Sequence, residues 1–393
     1  MKTSKMILSA IVAVIATVAC NKQETSPEDF NYELKTVEIS FEGLTFTKAV
    51  TSDFVSNETA VNLTSFKIFL TDGQNILKAA SDGTTEPVYY YSVAAGEALP
   101  KSVTVHYVPS AVNKVVVVGN VEETWGDSFT TYNALKSAQL NLENEQDVES
   151  LTLFGESALS AAGSAEDHDN GKTYNVYSAS VKLAPLVARF EVDGFAMVFN
   201  SDPAKFVKVE VKQVALDNYY AKTTLSPLAP TSLTTKLTEV NDASVFQYFT
   251  NNLSVSGELA WYYDALPAAD VVLDKADATG SPLVAADDMA TKKSYHFFPS
   301  TEVPCFYIQL ATYVDGEDVA LPSYIYSKGF KTSAGEDVTF APGYVYRMNF
   351  KGAPNNGDGD LPFEEEDINQ LDKCLEITVD VIDWAVVSIY PEF

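Results

Sequence analysis

The stretch VKVEVK, residues 207–212, alternates a valine with a charged residue along its whole length. Successive side chains of a β-strand point to opposite faces, so this pattern places the valines on one face and the charges on the other. A helix would repeat its apolar side chains every three to four residues instead. The stretch therefore predicts a strand with one face in a core and the other in water.

The same period of two recurs along most of the chain, with turn residues between the runs. One run, Val115–Val118, is apolar throughout, as expected of a strand that is buried on both faces. Only residues 129–140 favour a helix. Many short strands and few short helices predict an all-β fold built from β-sandwiches. Further alternating runs cover residues 66–70, 103–107, 177–183, 306–310 and 344–350.

The length of 393 residues predicts two tandem β-sandwich domains. We place their boundary near Ala184–Pro185, where one alternating run ends and another begins. The N-terminal domain would then cover residues 36–184, and the C-terminal domain residues 185–393. The net charge of −28 argues against nucleic acid or an anionic membrane surface as a partner, and it suits a protein exposed outside the cell.

The first 19 residues have the features of a secretory signal peptide. Two lysines precede an apolar run that is shorter than the roughly 20 residues of a membrane-spanning helix. The sequence TVAC, residues 17–20, resembles a bacterial lipobox, in which Cys20 is lipidated and becomes the first mature residue. Residues 20–35 would form a polar tether. The alternative is a plain signal peptide that is cut near Ala19, with Cys20 incidental.

A strand is predicted near each end of the mature chain. TVEISFEGLTF, residues 36–46, alternates up to Gly43, where a β-bulge would explain the change of phase. LEITVDVIDWAVVSIYPEF, residues 375–393, changes phase near Ile382. Either strand could simply complete the sheet of its own domain. The apolar side chains of the second strand are Leu375, Ile377, Val379, Val381, Trp384 and Val386.

The cysteines and histidines argue against an enzyme and against a metal site. Besides Cys20, the chain has only Cys305 and Cys374, which could form a disulfide outside the cell or remain two separate thiols. No HExxH or Cys-x-x-Cys motif is present, so we predict no zinc site. Gly155-Glu156-Ser157 lacks the second glycine of a nucleophile elbow. We predict no catalytic residue and no cofactor.

Two kinds of local cluster have both a binding and a structural interpretation. The aromatic residues at 89–91 and 261–263 could stack on a glycan if they are exposed, but alternating burial inside strands explains them more simply. Acidic residues at 355–360 and 364–367 could attract calcium, but they lack the spacing of a calcium-binding loop. We interpret them as a solvated loop.

Several phrases of the sequence, taken together and in order, resemble the fimbrillins of Bacteroidales, the subunits of type V pili. Residues 215–290 resemble the family only in general character. The phrases are the lipobox, LTFTKAV (44–50), KVVVVGN (114–120), LAPLVARFEV (183–192), FAPGYVYRMNF (340–350) and ITVDVIDWAVVSIYPEF (377–393).

The resemblance implies transthyretin-like sandwiches and a route of assembly. Family members are exported, lipidated and carried to the outer membrane, and a trypsin-like protease then removes their N-terminal strand. Here that cut would fall between Lys48 and Ala49, and the loss of residues 36–48 would open an apolar groove. The C-terminal strand of a neighbouring subunit, residues 375–393, would fill it as a donor strand. Such head-to-tail addition propagates into a filament.

The function implied is that of a fimbrial shaft subunit, which would contact other fimbrial subunits and support adhesion to a host or bacterial surface receptor, or biofilm formation. An anchor or tip subunit of the same family is an alternative, and an anchor would keep both the lipid on Cys20 and its first strand. From another class, the chain could be a surface glycan-binding lipoprotein that never polymerises.

Overall fold

Strands form nearly all the regular structure of the described residues. The computed structural model describes residues 34–42, 61–80, 87–92, 99–147, 150–166, 173–199, 206–234, 263–265, 271–277, 283–285, 293–327, 329–331, 336–350, 363–364, 376–383 and 386–388.

The first twelve strands precede residue 186. They are β1 (Leu34–Glu42), β2 (Val61–Leu63), β3 (Ser65–Thr71), β4 (Ile76–Leu77), β5 (Tyr90–Ser92), β6 (Ser102–Pro109), β7 (Lys114–Gly119), β8 (Gln139–Asn141), β9 (Leu153–Ala158), β10 (Ser160–Glu166), β11 (Thr173–Lys182) and β12 (Ala184–Pro185).

The other fifteen strands follow residue 187. They are β13 (Ala188–Val198), β14 (Lys208–Asp217), β15 (Tyr219–Thr224), β16 (Thr231–Thr234), β17 (Tyr263–Ala265), β18 (Val272–Asp274), β19 (Leu283–Ala285), β20 (Ser294–Phe297), β21 (Cys305–Tyr313), β22 (Leu321–Ser327), β23 (Gly329–Lys331), β24 (Tyr344–Phe350), β25 (Phe363–Glu364), β26 (Glu376–Asp383) and β27 (Val386–Ser388).

The first sandwich has a four-stranded sheet in the order β10-β11-β1-β6 and a six-stranded sheet in the order β12-β9-β7-β3-β4, with β5 also paired to β3. Val115–Val118 of β7 are completely buried, which confirms the prediction of a strand covered on both faces. The rings of Phe41 on one sheet and Phe66 on the other lie 4.7 Å apart between centroids, so the core fills the space between the sheets.

The second sandwich has a seven-stranded sheet, in which β19-β13-β24-β26-β23 form the main path and β20 and β25 also pair with β13. The opposing five-stranded sheet runs β17-β14-β21-β22, with β18 paired to β14. Phe190 lies at the centre of the core. Its ring centroid is 4.3 Å from that of Phe297 and 5.2 Å from that of Phe306 on the other sheet.

The strand predicted from VKVEVK is β14, and its two faces differ as expected. Val209 and Val211 are buried in the core. On the other face, Glu210 forms ion pairs with both flanking lysines, and its Oε1 lies 3.2 Å from Lys208 Nζ. The alternation therefore separates a buried apolar face from a partly exposed charged face. The all-β sandwich fold is confirmed.

The helix predicted over residues 129–140 is shorter in the structure, where α1 spans Tyr132–Lys136. The Thr131 hydroxyl accepts a hydrogen bond from Ala134 N at 3.1 Å, as an N-cap does. At its end the helix meets the two residues that follow β15, where Ser226 N donates a hydrogen bond to Lys136 O and Leu225 N donates one to Ala138 O. A 3₁₀ turn follows at Leu142–Asn144.

Besides the parallel pairing of β27 with β2, two sets of contacts join the halves of the chain. One is a small sheet in the order β16-β15-β8, in which β15 of the second half pairs with β8 of the first. The other is a buried chain of polar groups in which His296 Nδ1 donates to Glu145 O at 2.7 Å, and His296 Nε2 lies 3.2 Å from Arg189 Nη1. The domain limits at residues 184 and 185 remain a prediction, and the strands on either side of residues 186–187 join different sheets.

Candidate functional site

The predicted N-terminal strand, β1, lies inside the four-stranded sheet of the first sandwich. It pairs in parallel with β11, where Val37 is opposite Tyr177 and Ile39 is opposite Ala179. On its other side it pairs antiparallel with β6, where Glu38 is opposite Thr104. Among the described strands, β6 is the last in this sheet, so its ladder of hydrogen bonds depends on β1.

The inner face of β1 is a row of apolar side chains. Val37 and Ile39 are completely buried. The walls around them are also apolar, and they consist of Val103 and Val105 on β6 and Ala179 and Val181 on β11, all buried. Glu38 and Ser40 alternate with this row and are exposed.

Removal of β1 would change this sheet at its centre. The sheet would be divided into the pair β10–β11 on one side and β6 on the other. The backbone groups of β11 and β6 that bond to β1 would lose their partners, and the apolar walls would face water. An extended apolar segment could fill such a gap by pairing with both neighbours at once, as in β-strand addition.

The start of β1 carries a polar side chain in a buried place. Lys35 is 6% exposed, and its ammonium donates hydrogen bonds to the carbonyls of Ser110, at 3.3 Å, and Val112. The same Nζ lies 4.3 Å from the centroid of the Tyr177 ring, a cation–π contact. Burial lowers the pKa of Lys35 below its usual range. Lys35 therefore places a buried positive charge at one end of the space that β1 occupies between β6 and β11.

The predicted donor strand is paired within its own chain in this structure. Three of its named residues, Ile377, Val379 and Val381, lie on β26, which pairs antiparallel with β24 and in parallel with β23. Val386 begins β27, which pairs in parallel with β2 of the first half. Leu375 and Trp384 lie outside the described residues. Donation to another subunit would require β26 to leave β24 and β23, and β27 to leave β2.

The predicted processing residues, Cys20, Lys48 and Ala49, also lie outside the described residues, as does Gly43. Cys305 is buried at the start of β21, and its thiol lies 3.7 Å from the carbonyl of Val303. Because Cys374 lies outside the described residues, a disulfide between Cys305 and Cys374 stays a prediction.

Part of the aromatic cluster at 89–91 packs against the core, and part of it lines a cavity. The Tyr91 ring stacks on Phe66 at 5.0 Å, and the Tyr89 hydroxyl accepts a hydrogen bond from Ala79 N at 2.6 Å. Beside them is a cavity of about 380 Å³, lined in part by Tyr89, Tyr90 and the ion pair of Lys67 with Asp127. Of the second cluster, only the last residue, at position 263, is described.

Two features are absent from the described residues. No group of three or more His, Cys, Asp or Glu side chains there is placed to hold a metal ion. In the same part of the chain, no helix has the length and apolar character needed to cross a membrane. The acidic stretch at 355–360 and most of that at 364–367 lie outside it.

Solved structures with a similar fold come from Bacteroidales. A fimbrilin from Porphyromonas gingivalis W83 aligns with a TM-score of 0.51 at 14% sequence identity, covering 91% of this chain and 99% of that chain. The chain has a fimbrillin-like fold. A candidate cell adhesion protein from Parabacteroides distasonis ATCC 8503 shares this fimbrillin-like fold, with a TM-score of 0.52, 14% identity and coverage of 91% and 99%. No protein-family model and no curated protein sequence matches the chain.

The fimbrillin-like fold confirms the resemblance noted in the sequence at the level of architecture. The sequence analysis did not predict the burial of Lys35. The signal was present, because a period of two puts Lys35 on the same face as Val37 and Ile39.

Proposed function

We propose that this chain is a structural subunit of a cell-surface fimbria, without enzymatic activity, that polymerises head to tail by donor-strand exchange. The observation that carries the proposal is the central position of β1, whose buried Val37 and Ile39 occupy a slot between β6 and β11. The fimbrillin-like fold supports it, since a fimbrilin and a candidate cell adhesion protein share that fold.

In this proposal the precursor is lipidated at Cys20 and held at the outer membrane. A trypsin-like protease cuts between Lys48 and Ala49, residues 36–48 leave, and the strand at residues 375–393 of the next subunit enters the open slot. The burial of Lys35 supports a cut after β1, since a protease must bind its target lysine in an extended and accessible segment. The mature subunit would join the fimbrium and support adhesion or biofilm formation.

A polymer joint of this kind has a plausible free-energy balance. Each fully buried aliphatic side chain contributes on the order of 1.5–3 kcal/mol, and association costs roughly 4–15 kcal/mol. Several donor side chains would therefore offset the cost of association. Resistance to dissociation would depend also on the slow extraction of a strand that is bonded on both sides.

The mature N-terminus on cells tests the proposal, and intact mass spectrometry measures it. A mature chain that begins at Ala49 and runs as an SDS-resistant ladder of oligomers supports a shaft subunit. A chain that keeps acylated Cys20 and forms no ladder contradicts polymerisation and favours an anchor.

The cavity beside Tyr89 and Tyr90 is the observation that favours a second candidate, a glycan-binding surface lipoprotein. That candidate requires a monomer that retains an oligosaccharide in a pull-down. A Tyr90→Ala variant should then lose the oligosaccharide, and an SDS-resistant ladder would exclude this candidate.

A further inference from the structure

We propose a residue-by-residue register for the joint between subunits: Glu376–Asp380 of one chain replaces Glu38–Glu42 of its neighbour and runs in the same direction. The inference rests on the proposed donor-strand exchange and names the segment that the slot accepts. Both segments are strands in the structure, within β26 and β1. In the polymer, the incoming segment would thus be parallel to β11 and antiparallel to β6.

The strand near the start of the chain and the strand near its end have similar sequences at this point. KTVEISFE, residues 35–42, and KCLEITVD, residues 373–380, share their Lys, Glu and Ile. Their other positions pair Val with Leu, Ser with Thr, Phe with Val, and Glu with Asp, leaving Thr and Cys as the one unlike pair. The likeness continues in Leu44 with Ile382 and in Phe46 with Trp384. The donor therefore copies the strand that it would displace.

This register preserves the burial pattern of the slot. Ile39 is completely buried, and Ile377 would take its place without a change of volume. Phe41 is half-buried against Phe66, and the smaller Val379 would succeed it. Glu38 and Ser40 are exposed, and their successors, Glu376 and Thr378, are polar as well.

Three other registers of the same direction keep apolar residues at positions 37, 39 and 41. Two of them put Ile382, Trp384 and Val386, or Ala385, Val387 and Ile389, at these positions. They also put Asp380 or Asp383 at position 35, against the carbonyls that Lys35 contacts, and this excludes both.

The third of these registers lies nearest to the proposed register. In that register the donor is displaced by two residues, so that Val379 replaces Ile39 and Leu375 replaces Lys35. A displacement in the opposite sense, with Leu375 at position 39, would put Lys373 into the buried place of Val37. Displacement by six residues, with Val379 at Lys35, would put Asp383 into the place of Ile39. Burying a charge without a partner is costly, which excludes these last two.

The site of Lys35 decides between the two remaining registers. Its ammonium bonds to the carbonyls of Ser110 and Val112 and lies over the Tyr177 ring, so this end of the slot is built for a cation. Leu375 at this position would leave both carbonyls without that donor, which carries a desolvation penalty. Lys373 would restore the donor. The proposed register therefore satisfies both the apolar row and its polar end.

Disulfide trapping in full-length chains tests the register. Position 38 faces position 104 across the antiparallel pair β1–β6, and position 40 faces position 102; all four side chains are exposed. Chains that carry Cys374→Ser, together with Thr104→Cys and Glu376→Cys, are polymerised with a protease of trypsin-like specificity and then oxidised. Thr104→Cys with Thr378→Cys is the mismatched pair, and Ser102→Cys with Thr378→Cys is a second matched pair. The uncut chain with Glu38→Cys and Thr104→Cys shows that the geometry permits the bond.

We expect intermolecular disulfides in both matched pairs, seen after full denaturation as a ladder of oligomers that a reductant removes. The mismatched pair should form no more linked oligomer than chains that carry only one of its two cysteines. Mass spectrometry of the linked peptides identifies the positions. If the mismatched pair links and Thr104→Cys with Glu376→Cys does not, the register is wrong and strand exchange stands. Polymers in which no pair links also overturn the register alone. If the parent chain forms no polymer, the proposed function fails, and the register fails with it.

Discussion

At the scale of single residues, β1 combines a well-packed centre with a polar end. Val37 and Ile39 are buried without contact with water, while Lys35 is buried with its charge bonded to two carbonyls. The apolar pair resists removal through the hydrophobic effect. The lysine restricts which segment can follow, because a successor must satisfy the same two carbonyls.

We expect Ile39→Ala to destabilise the uncut precursor by about 2–5 kcal/mol, since it leaves a cavity in a fully buried site. Urea unfolding of the precursor measures the loss. Ser40→Ala is the matched control, because Ser40 is the next residue of β1 and is exposed, so its effect should stay within about 0.5 kcal/mol. Equal stability of the two variants would contradict the packing described for β1.

His296 gives the chain a dependence on acid that can be measured. Complete burial, and after it the charge of Arg189, lowers the pKa of His296 from 6.5 to about 3. The folded chain therefore keeps this imidazole neutral, while the unfolded chain takes up a proton below pH 6.5. Proton uptake by the unfolded state alone lowers stability as pH falls from about 6.5 towards 3.

Between pH 7 and pH 5, His296 should reduce the free energy of unfolding by about 2 kcal/mol. His296→Gln should lose this part of the pH dependence, because the amide can still contact Glu145 O and Arg189 but does not titrate in this range. Urea unfolding at both pH values measures the difference. An unchanged slope in His296→Gln would show that this imidazole is not held neutral.

At the scale of elements, the sequence predicted where strands lie along the chain better than it predicted which strands pair with each other. Alternation in VKVEVK and the apolar run at Val115–Val118 predicted β14 and β7, because the side-chain pattern reflects local burial. The pairing of β1 with β11, or of β8 with β15, joins segments far apart in the chain, and the hydrogen-bonding groups that pair them are the same in every residue. For the same reason, alternation predicted the strand at residues 36–46 and the one at 375–393, but could not place β26 between β24 and β23.

A covalent link from β1 to β6 should stop assembly. With Glu38→Cys and Thr104→Cys, oxidation joins two opposed, exposed positions, and residues 36–48 cannot leave even after the protease has cut. We expect oxidised chains to remain monomers and the addition of a reductant to restore the ladder, as followed by SDS gels without heating. Glu38→Cys alone should polymerise in either state. Polymers of the oxidised double variant would show that β1 need not leave.

At the scale of the whole molecule, the proposed assembly uses proteolysis to convert a folded precursor into a subunit able to polymerise. We expect Lys48→Gln to abolish both the new N-terminus at Ala49 and the oligomer ladder, because a trypsin-like protease requires a basic residue at its cut. Lys78→Gln removes the same charge from an exposed position of the first sandwich and should leave both unchanged. Intact mass and SDS gels of surface material measure the outcome. A full ladder from Lys48→Gln would show that the protease cuts at a different residue.

The sheet formed by β8 and β15 has a consequence for how a filament bears tension. In the proposed filament, fluid flow over a cell would pull each subunit between its slot and its donated strand, and that load would have to cross from one sandwich to the other. A single connecting segment at residues 186–187 would concentrate the load. The pairing of β8 with β15, together with the His296 contacts to Glu145 and Arg189, lets several hydrogen bonds share it. Each subunit would then stretch as one stiff link, and the fimbria would yield first at its joints.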